Sequence, residues 1–144
     1  TYKEVFYMIN KIYFDGGSSL HMICVFDENR NQYFTEKIDT PKTNNELEYL
    51  ALMKAVRYAR NYYQKLDKVL FLGDSELIIK QMTGEYKIKR IHLKKLYDSI
   101  IREINMVSLI NFESHFKWTS RENNKAGMIL EELLLKAKRV KLNV

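Results

Sequence analysis

The chain has 144 residues, of which 46% are hydrophobic and 29% charged, a balance typical of one soluble globular domain. With 5 Gly, 1 Pro and no low-complexity tract, the composition excludes disordered, collagen-like and solenoid proteins. No apolar run reaches the ~18 residues of a membrane span. The single cysteine, Cys24, excludes an internal disulfide and a cysteine zinc site.

These features predict one domain over residues 1–144 in an intracellular, cytoplasmic protein, since no secretory signal is visible. We expect a monomer. The formal net charge of +6 weakly favours a polyanionic partner.

Three segments in the first part of the chain are predicted to be β-strands. Residues 5–14, 20–26 and 32–38 are rich in β-branched and aromatic side chains, as strands are. Turn-forming sequences at 16–19 and 27–31 separate them. Strands joined by such short turns predict an antiparallel meander.

After residue 40 the hydrophobic period changes from that of strands to that of helices. Thr43 followed three residues later by Glu46 predicts a capping box, and apolar residues then recur at spacings of three or four as far as Tyr62. Further strands are predicted at 68–72 and 109–118, and further helices at 76–82, 93–107 and 126–140. The order βββαβααβα predicts an α/β fold in which helices cover a mixed sheet.

Three carboxylates fall where strands end and helices begin. Asp15 closes the first predicted strand, Glu48 lies in the first turns of the first helix, and Asp74 closes the fourth strand. Such positions gather at one edge of the sheet, where three carboxylates repel one another unless cations lie between them. Hard oxygen ligands suit Mg²⁺ or Mn²⁺, and such a site suits two-metal phosphoryl chemistry.

Each carboxylate also has a purely structural interpretation. Asp15 fits a turn cap, Glu48 fits the positive end of a helix, and Asp74 fits an N-cap. Taken singly, each structural interpretation is the stronger one.

The local sequences around the carboxylates shift that balance. They are YFDGGS at 13–18, TNNELEYLA at 43–51 and LGDS at 72–75, followed by GEYKIK at 84–89 and WTSRENNKA at 118–126. In this order and on these elements, the chain resembles the type 1 ribonuclease H family, in particular its shorter bacterial and archaeal members. The resemblance covers nearly the whole chain.

The resemblance implies a ribonuclease H-like fold with a five-stranded mixed sheet. It also implies hydrolysis of the RNA strand of RNA–DNA hybrids with two divalent metals, Mg²⁺ or Mn²⁺. The matching catalytic residues and metal ligands are Asp15, Glu48 and Asp74.

Nucleic-acid contacts are expected on both sides of these carboxylates. By resemblance, Asn44 and Asn45 would line the minor groove, where amides read sugars and base edges, and Gly16 would allow close approach of the backbone. A helix-entry turn remains the alternative for the Asn pair. Tyr86, Lys87 and Lys89 lie in a basic stretch that suits phosphates and sugars, the alternative being a solvated helix face.

The chain departs from the family pattern at two places. Gly127 stands where the family has a fourth carboxylate, and only residues 16–19 separate Asp15 from the second strand, where the family has a longer loop. Glu131 lies one helical turn after Gly127, and it is a candidate for reaching a metal through water, with a plain exposed Glu as the alternative. Arg121 is a candidate for contacting the attacking water or the product phosphate, with a salt bridge as the alternative.

Two functions remain open at this point. The first is a divalent-metal-dependent endonuclease acting on hybrids. The second is a weakened or inactive nucleic-acid-binding domain, part of a larger polymerase or viral protein, which Gly127 and the short loop favour. A transposase-like nuclease fits less well, because the Thr-Asn-Asn motif belongs to hybrid recognition in the family. Trp118 and Cys24 are predicted to be core residues.

Overall fold

A computed structural model describes residues 9–142, so residues 5–8 of the first predicted strand lie outside the described residues. The strands are β1 (Ile9–Gly17), β2 (Met22–Asp27), β3 (Gln32–Lys37), β4 (Lys68–Gly73) and β5 (Glu113–Trp118). The helices are α1 (Asn44–Tyr62), α2 (Glu76–Met82), α3 (Ile91–Ile110) and α4 (Lys125–Leu142), with a 3₁₀ turn at Arg121–Asn123. The predicted order βββαβααβα is confirmed.

The five strands form one mixed sheet in the order β3-β2-β1-β4-β5. The meander β1-β2-β3 is antiparallel, whereas β4 and β5 run parallel to β1. Because β1 and β4 are parallel neighbours, their carboxyl ends meet at the same edge of the sheet.

Strand alternation divides the apolar side chains between the two faces of the sheet. Ile12 and Phe14 of β1 belong to the larger core, which α1, α2 and α3 cover. Tyr13 lies on the opposite face, in a smaller cluster that α4 covers with Ala126 and Leu130. Asp15 has the same parity as Tyr13, so strand alternation points it toward the α4 side.

Helix boundaries follow the capping chemistry of the sequence. The Thr43 hydroxyl accepts a hydrogen bond from the Glu46 N–H at 3.2 Å, and the Glu46 carboxylate accepts one from the Thr43 N–H at 3.0 Å. This confirms the predicted capping box at the start of α1. Gly84 follows α2 with a φ of 82°, a left-handed conformation that favours glycine and ends the helix there.

The predicted bounds differ from the structure at several element ends, most of all at the start of the last strand. The last strand begins at Glu113 rather than at 109, because α3 continues to Ile110. Leu109 is exposed at the end of α3, and Phe112 is buried after it. The apolar residues that suggested a strand therefore belong to the end of a helix and to a core contact. The first strand does not end at Asp15 but continues to Gly17, with Gly16 paired to Ile23.

The single domain predicted over residues 1–144 stays a prediction, since residues 1–8 and 143–144 are not described. No helix among residues 9–142 has the length and hydropathy needed to cross a bilayer. Cys24 is fully buried, and burial raises the pKa of its thiol to about 12, which confirms its place in the core.

Candidate active site

Three carboxylates meet at the carboxyl ends of β1 and β4. Asp15 lies in β1, Asp74 directly follows β4, and Glu48 comes from the beginning of α1. One carboxylate oxygen from each lies within 4.8 Å of the others. The expected gathering of Asp15, Glu48 and Asp74 therefore occurs, on three separate elements of the chain.

Gly16 allows α1 to approach β1 closely enough to bring Glu48 into the cluster. A Cβ at this position would lie 2.5 Å from the carbonyl carbon of Leu47 and 2.8 Å from the Glu48 nitrogen. Any side chain would therefore push the helix away from the strand. The structure gives Gly16 a packing role, while its predicted contact with nucleic acid stays a prediction.

Burial and mutual repulsion raise the pKa values of two of these carboxyl groups. The pKa of Asp15 rises to about 6, chiefly because the group is buried and then because the Asp74 charge is close. The pKa of Glu48 lies well above its ordinary value, again because of burial first and the charge of Asp15 second. Metal-free protein at neutral pH therefore holds this cluster under electrostatic strain.

The donor set fits a hard divalent cation. Glu48 is 4% exposed, yet its Oε2 atom has no hydrogen-bond partner. By contrast the buried carboxylate of Asp27 accepts hydrogen bonds from the hydroxyls of Tyr58 at 2.9 Å and Tyr63 at 2.7 Å. A buried carboxylate oxygen without a donor is costly, and a cation between oxygen ligands removes that cost.

Asn124 and Ser75 define the surroundings of Asp74. The Asn124 amide donates a hydrogen bond to Asp74 Oδ2 at 3.0 Å, and Asn124 is fully buried. The hydroxyl of Ser75 caps α2 by accepting from the Ile78 N–H. The alternative that Asp74 is the N-cap was therefore wrong, as was a turn cap at Asp15, which lies within a strand.

Gly127 lies directly beside the acid cluster, in the first turn of α4. A Cβ at this position would lie 3.1 Å from Asp15 Oδ2 and 3.6 Å from Asp74 Oδ2. A side chain at 127 would therefore start beside Asp15 and Asp74, and the present chain has no carboxylate at this point.

The cluster opens into a cleft of about 470 Å³, which we call the acid cleft. Besides the three carboxylates, its walls include Asn44, Arg121, Gly127 and Glu131. The pKa of Asp15 is raised overall by burial, and the positive charge of Arg121 offsets part of that rise. This guanidinium is therefore close enough to stabilise negative charge in the cluster. Glu131 is exposed at the cleft, and its role toward a metal stays a prediction.

A second depression of about 490 Å³, the basic groove, begins on the other side of the Asn pair. Asn45 lines it together with Tyr86, Lys87 and Lys89. The structure thus divides the Asn pair, with Asn44 at the acid cleft and Asn45 at the basic groove. Tyr86 is 45% exposed, so part of its ring lies at the surface of the groove.

Trp118 is half-exposed, so its predicted place in the core was wrong. Its indole N–H donates to the backbone carbonyl of Asp74 at 3.0 Å, and this bond holds the ring at the surface. Sequence reasoning also assigned no role to Asn124. The available signal was an Asn directly before the last helix, a preferred N-cap residue.

Comparison with known proteins agrees with this site and fold. A family model described as reverse transcriptase-like matches residues 16–130. The crystal structure of LC11-RNase H1, a protein isolated from compost by a metagenomic approach, in complex with an RNA/DNA hybrid is 31% identical. That match covers 81% of this chain and 88% of that chain, with a TM-score of 0.70.

Two more distant structures show the same fold. RNase H1 from the halophilic archaeon Halobacterium salinarum is 23% identical over 82% of this chain and 90% of that chain, with a TM-score of 0.65. The N-terminal RNase H domain of a Mycobacterium tuberculosis protein is 22% identical over 90% of this chain and 98% of that chain, with a TM-score of 0.67. The family model and the LC11 match together show that the chain belongs to the type 1 ribonuclease H family.

Proposed function

We propose that this protein is a divalent-metal-dependent endonuclease that hydrolyses the RNA strand of RNA–DNA hybrids. The observation that carries the proposal is the cluster of Asp15, Glu48 and Asp74, whose oxygens lie within 4.8 Å of one another. The similarity to LC11-RNase H1, crystallised with an RNA/DNA hybrid, supports the substrate class.

The three carboxylates would hold Mg²⁺ or Mn²⁺, and Glu48 Oε2 is a buried oxygen of this cluster without a hydrogen-bond partner. When bound, the cations supply an activated water and stabilise the leaving oxygen. The protein's own contribution is to hold three carboxyl groups in a fixed arrangement in which burial and proximity disfavour their charged forms. Arg121, at the wall of the acid cleft, would contact a phosphate there, and Glu131 is an auxiliary candidate.

The basic groove would bind the second strand of the hybrid. Lys87 and Lys89 are exposed, and among residues 9–142 no carboxylate pairs with either of them. Lys80 and Lys94 differ, because they already pair with Glu76 and Asp98. The two unpaired lysines are therefore free to contact phosphates, with Tyr86 and Asn45 beside them and Asn44 and Gly16 toward the cleaved strand.

The second candidate is a nucleic-acid-binding domain with little or no catalysis. Gly127 favours it, because a carboxylate is missing at a point where a Cβ would lie 3.1 Å from Asp15 Oδ2. Hybrid binding through the basic groove would then persist without cleavage.

A cleavage assay separates the two candidates. Labelled RNA–DNA hybrid, RNA duplex and DNA duplex are incubated with the protein in Mg²⁺, in Mn²⁺ or in EDTA, with Asp74→Asn as the matched control. The endonuclease proposal expects internal cleavage of the RNA strand of the hybrid alone, lost in EDTA and in the control. Hybrid binding without cleavage in either metal would reject it and favour the binding domain.

A further inference from the structure

We propose that Asn124 is a positioning residue that fixes the carboxylate of Asp74 relative to β1 and α4, an inference that rests on the proposed function. The residue connects three elements that meet at the acid cleft. Its side chain is fully buried, and both its nitrogen and its oxygen are hydrogen-bonded.

The amide nitrogen has two hydrogens, and both are used. One is donated to the backbone carbonyl of Phe14 at 3.1 Å, in the residue directly before Asp15. The other is donated to Asp74 Oδ2 at 3.0 Å. A single planar group therefore sets the distance between the end of β1 and the carboxylate that follows β4.

The amide oxygen faces the start of α4. It accepts hydrogen bonds from the N–H groups of Ala126 at 3.1 Å and Gly127 at 3.4 Å. This is the capping arrangement that satisfies free N–H groups at a helix start. The rigid amide thus links Asp74 to the helix whose first turn lies against the acid cluster.

Capping alone does not account for these contacts. Ser, Thr and Asp also cap helices, but an ionised Asp has no hydrogen to donate and the Ser and Thr hydroxyls have one. Only an amide accepts at the helix start and donates to two acceptors at once. Among residues 9–142, Asn124 also forms the only side-chain hydrogen bond that reaches the Asp74 carboxylate.

The consequence is a restricted orientation of Asp74. A charge-assisted hydrogen bond is stronger than a neutral one and so favours the rotamer that makes it, and such outer contacts orient groups that bind metals. Gly127 contributes no side chain here, so Asn124 is the side chain through which the start of α4 contacts the acid cluster.

The test compares two substitutions of Asn124 that both remove the amide group, only one of which retains an oxygen that can cap α4. Asn124→Ser keeps a capping oxygen, whereas Asn124→Ala has none. Mn²⁺ affinity is measured by calorimetry, thermal stability in EDTA by circular dichroism, and kcat and KM on labelled hybrid. Asn123→Ala, at the exposed neighbouring position, is the control.

A positioning role predicts that both variants lose about 10–100-fold in Mn²⁺ affinity and in kcat, while KM for the hybrid is unchanged. Thermal stability should separate them, because only Asn124→Ser keeps the helix cap. The control should match the wild type in every measurement.

Wild-type Mn²⁺ affinity in Asn124→Ser would overturn the inference and leave Asn124 as a cap only, and a wild-type protein that binds no Mn²⁺ would also overturn it. Failure of the proposed function looks different, because the wild type then binds Mn²⁺ without cleaving hybrid. The Mn²⁺ affinities of the two variants still decide the role of Asn124 in that case.

Discussion

The acid cleft and the basic groove lie on either side of the start of α1, and the chain builds them differently. In the cleft, buried carboxylates are fixed by close backbone packing at Gly16 and by the Asn124 amide. In the groove, Tyr86 is 45% exposed and Lys87 and Lys89 extend into solvent.

This contrast indicates a division of labour. The cleft holds carboxyl groups in an unfavourable arrangement that a bound cation would relieve, as expected for groups that perform chemistry. The groove holds solvated charges that cost little to maintain and gain from a polyanion. Changes in the cleft should therefore alter kcat and metal binding, whereas changes in the groove should alter affinity for nucleic acid.

The largest effect is expected from Asp15→Asn. Loss of one metal ligand removes several kcal/mol of transition-state stabilisation, which corresponds to a fall in kcat of about 10³-fold or more. Hybrid affinity, measured in EDTA by fluorescence anisotropy, should persist because the basic groove is intact. If this variant retained wild-type kcat, Asp15 would have no role in catalysis. The assignment of catalysis to the acid cleft and of binding to the basic groove would then be contradicted.

The next effect concerns pH. The pKa of Asp15 is about 6 in the folded protein against an ordinary 3.8, so the folded state binds more protons than the unfolded state between these values. Without metal, this group therefore makes the protein less stable as pH rises from about 4 to 6, and the loss is complete above 6. Glu48, with its pKa also raised, acts in the same direction.

Thermal unfolding in EDTA at pH 5 and 7.5 measures this coupling. Asp15→Asn should be more stable than the wild type at pH 7.5, by up to about 3 kcal/mol at ~1.4 kcal/mol per pKa unit, and the gain should shrink at pH 5. Added Mn²⁺ should stabilise only the wild type. Destabilisation by Asp15→Asn at both pH values would favour a structural role for this carboxylate.

A smaller gain is expected from Gly127→Asp. The new carboxylate should raise Mn²⁺ affinity and kcat by about tenfold, although the Asp15 carboxylate must move slightly to admit a Cβ at 3.1 Å. Gly127→Ala is the matched control, since it adds the same Cβ without the charge. Equal activities of the two variants would show that a carboxylate at position 127 does not raise turnover.

The smallest effect is expected in the basic groove. Lys87→Ala should raise KM a few-fold and reduce the slope of log affinity against log salt by about 1, the value for one phosphate contact. Its kcat should be unchanged. Lys94→Ala is a suitable control, because Lys94 already pairs with Asp98 at 3.2 Å. Equal salt slopes in both variants would exclude a phosphate contact at Lys87.

Sequence reasoning predicted the fold and the acid cluster because both depend on local signals. The capping box at Thr43 fixed the start of α1, and the bounds 76–82 of α2 match the structure. Once β1, β4 and α1 were assigned, the rule that parallel strands end at a common edge brought Asp15, Glu48 and Asp74 together.

The remaining features depend on tertiary contacts that periodicity does not encode. Residues 109–112 are compatible with either a strand or a helix end, and the packing of Phe112 decides between them. Asn44 and Asn45 face different depressions because consecutive side chains on a helix point in different directions. The role of Asn124 arises from a partner 50 residues away in the chain.

The two faces of the sheet are unequally buried, and this has a dynamic consequence. The face under α1, α2 and α3 carries the larger core, whereas the cluster under α4 has five buried residues. Segments with fewer buried contacts open at lower free energy. Lys125, paired with Glu28, holds the start of α4, so hydrogen exchange should be fastest toward Leu142 and slow down toward Gly127. The wall of the acid cleft nearest the three carboxylates would then be the last part of α4 to open.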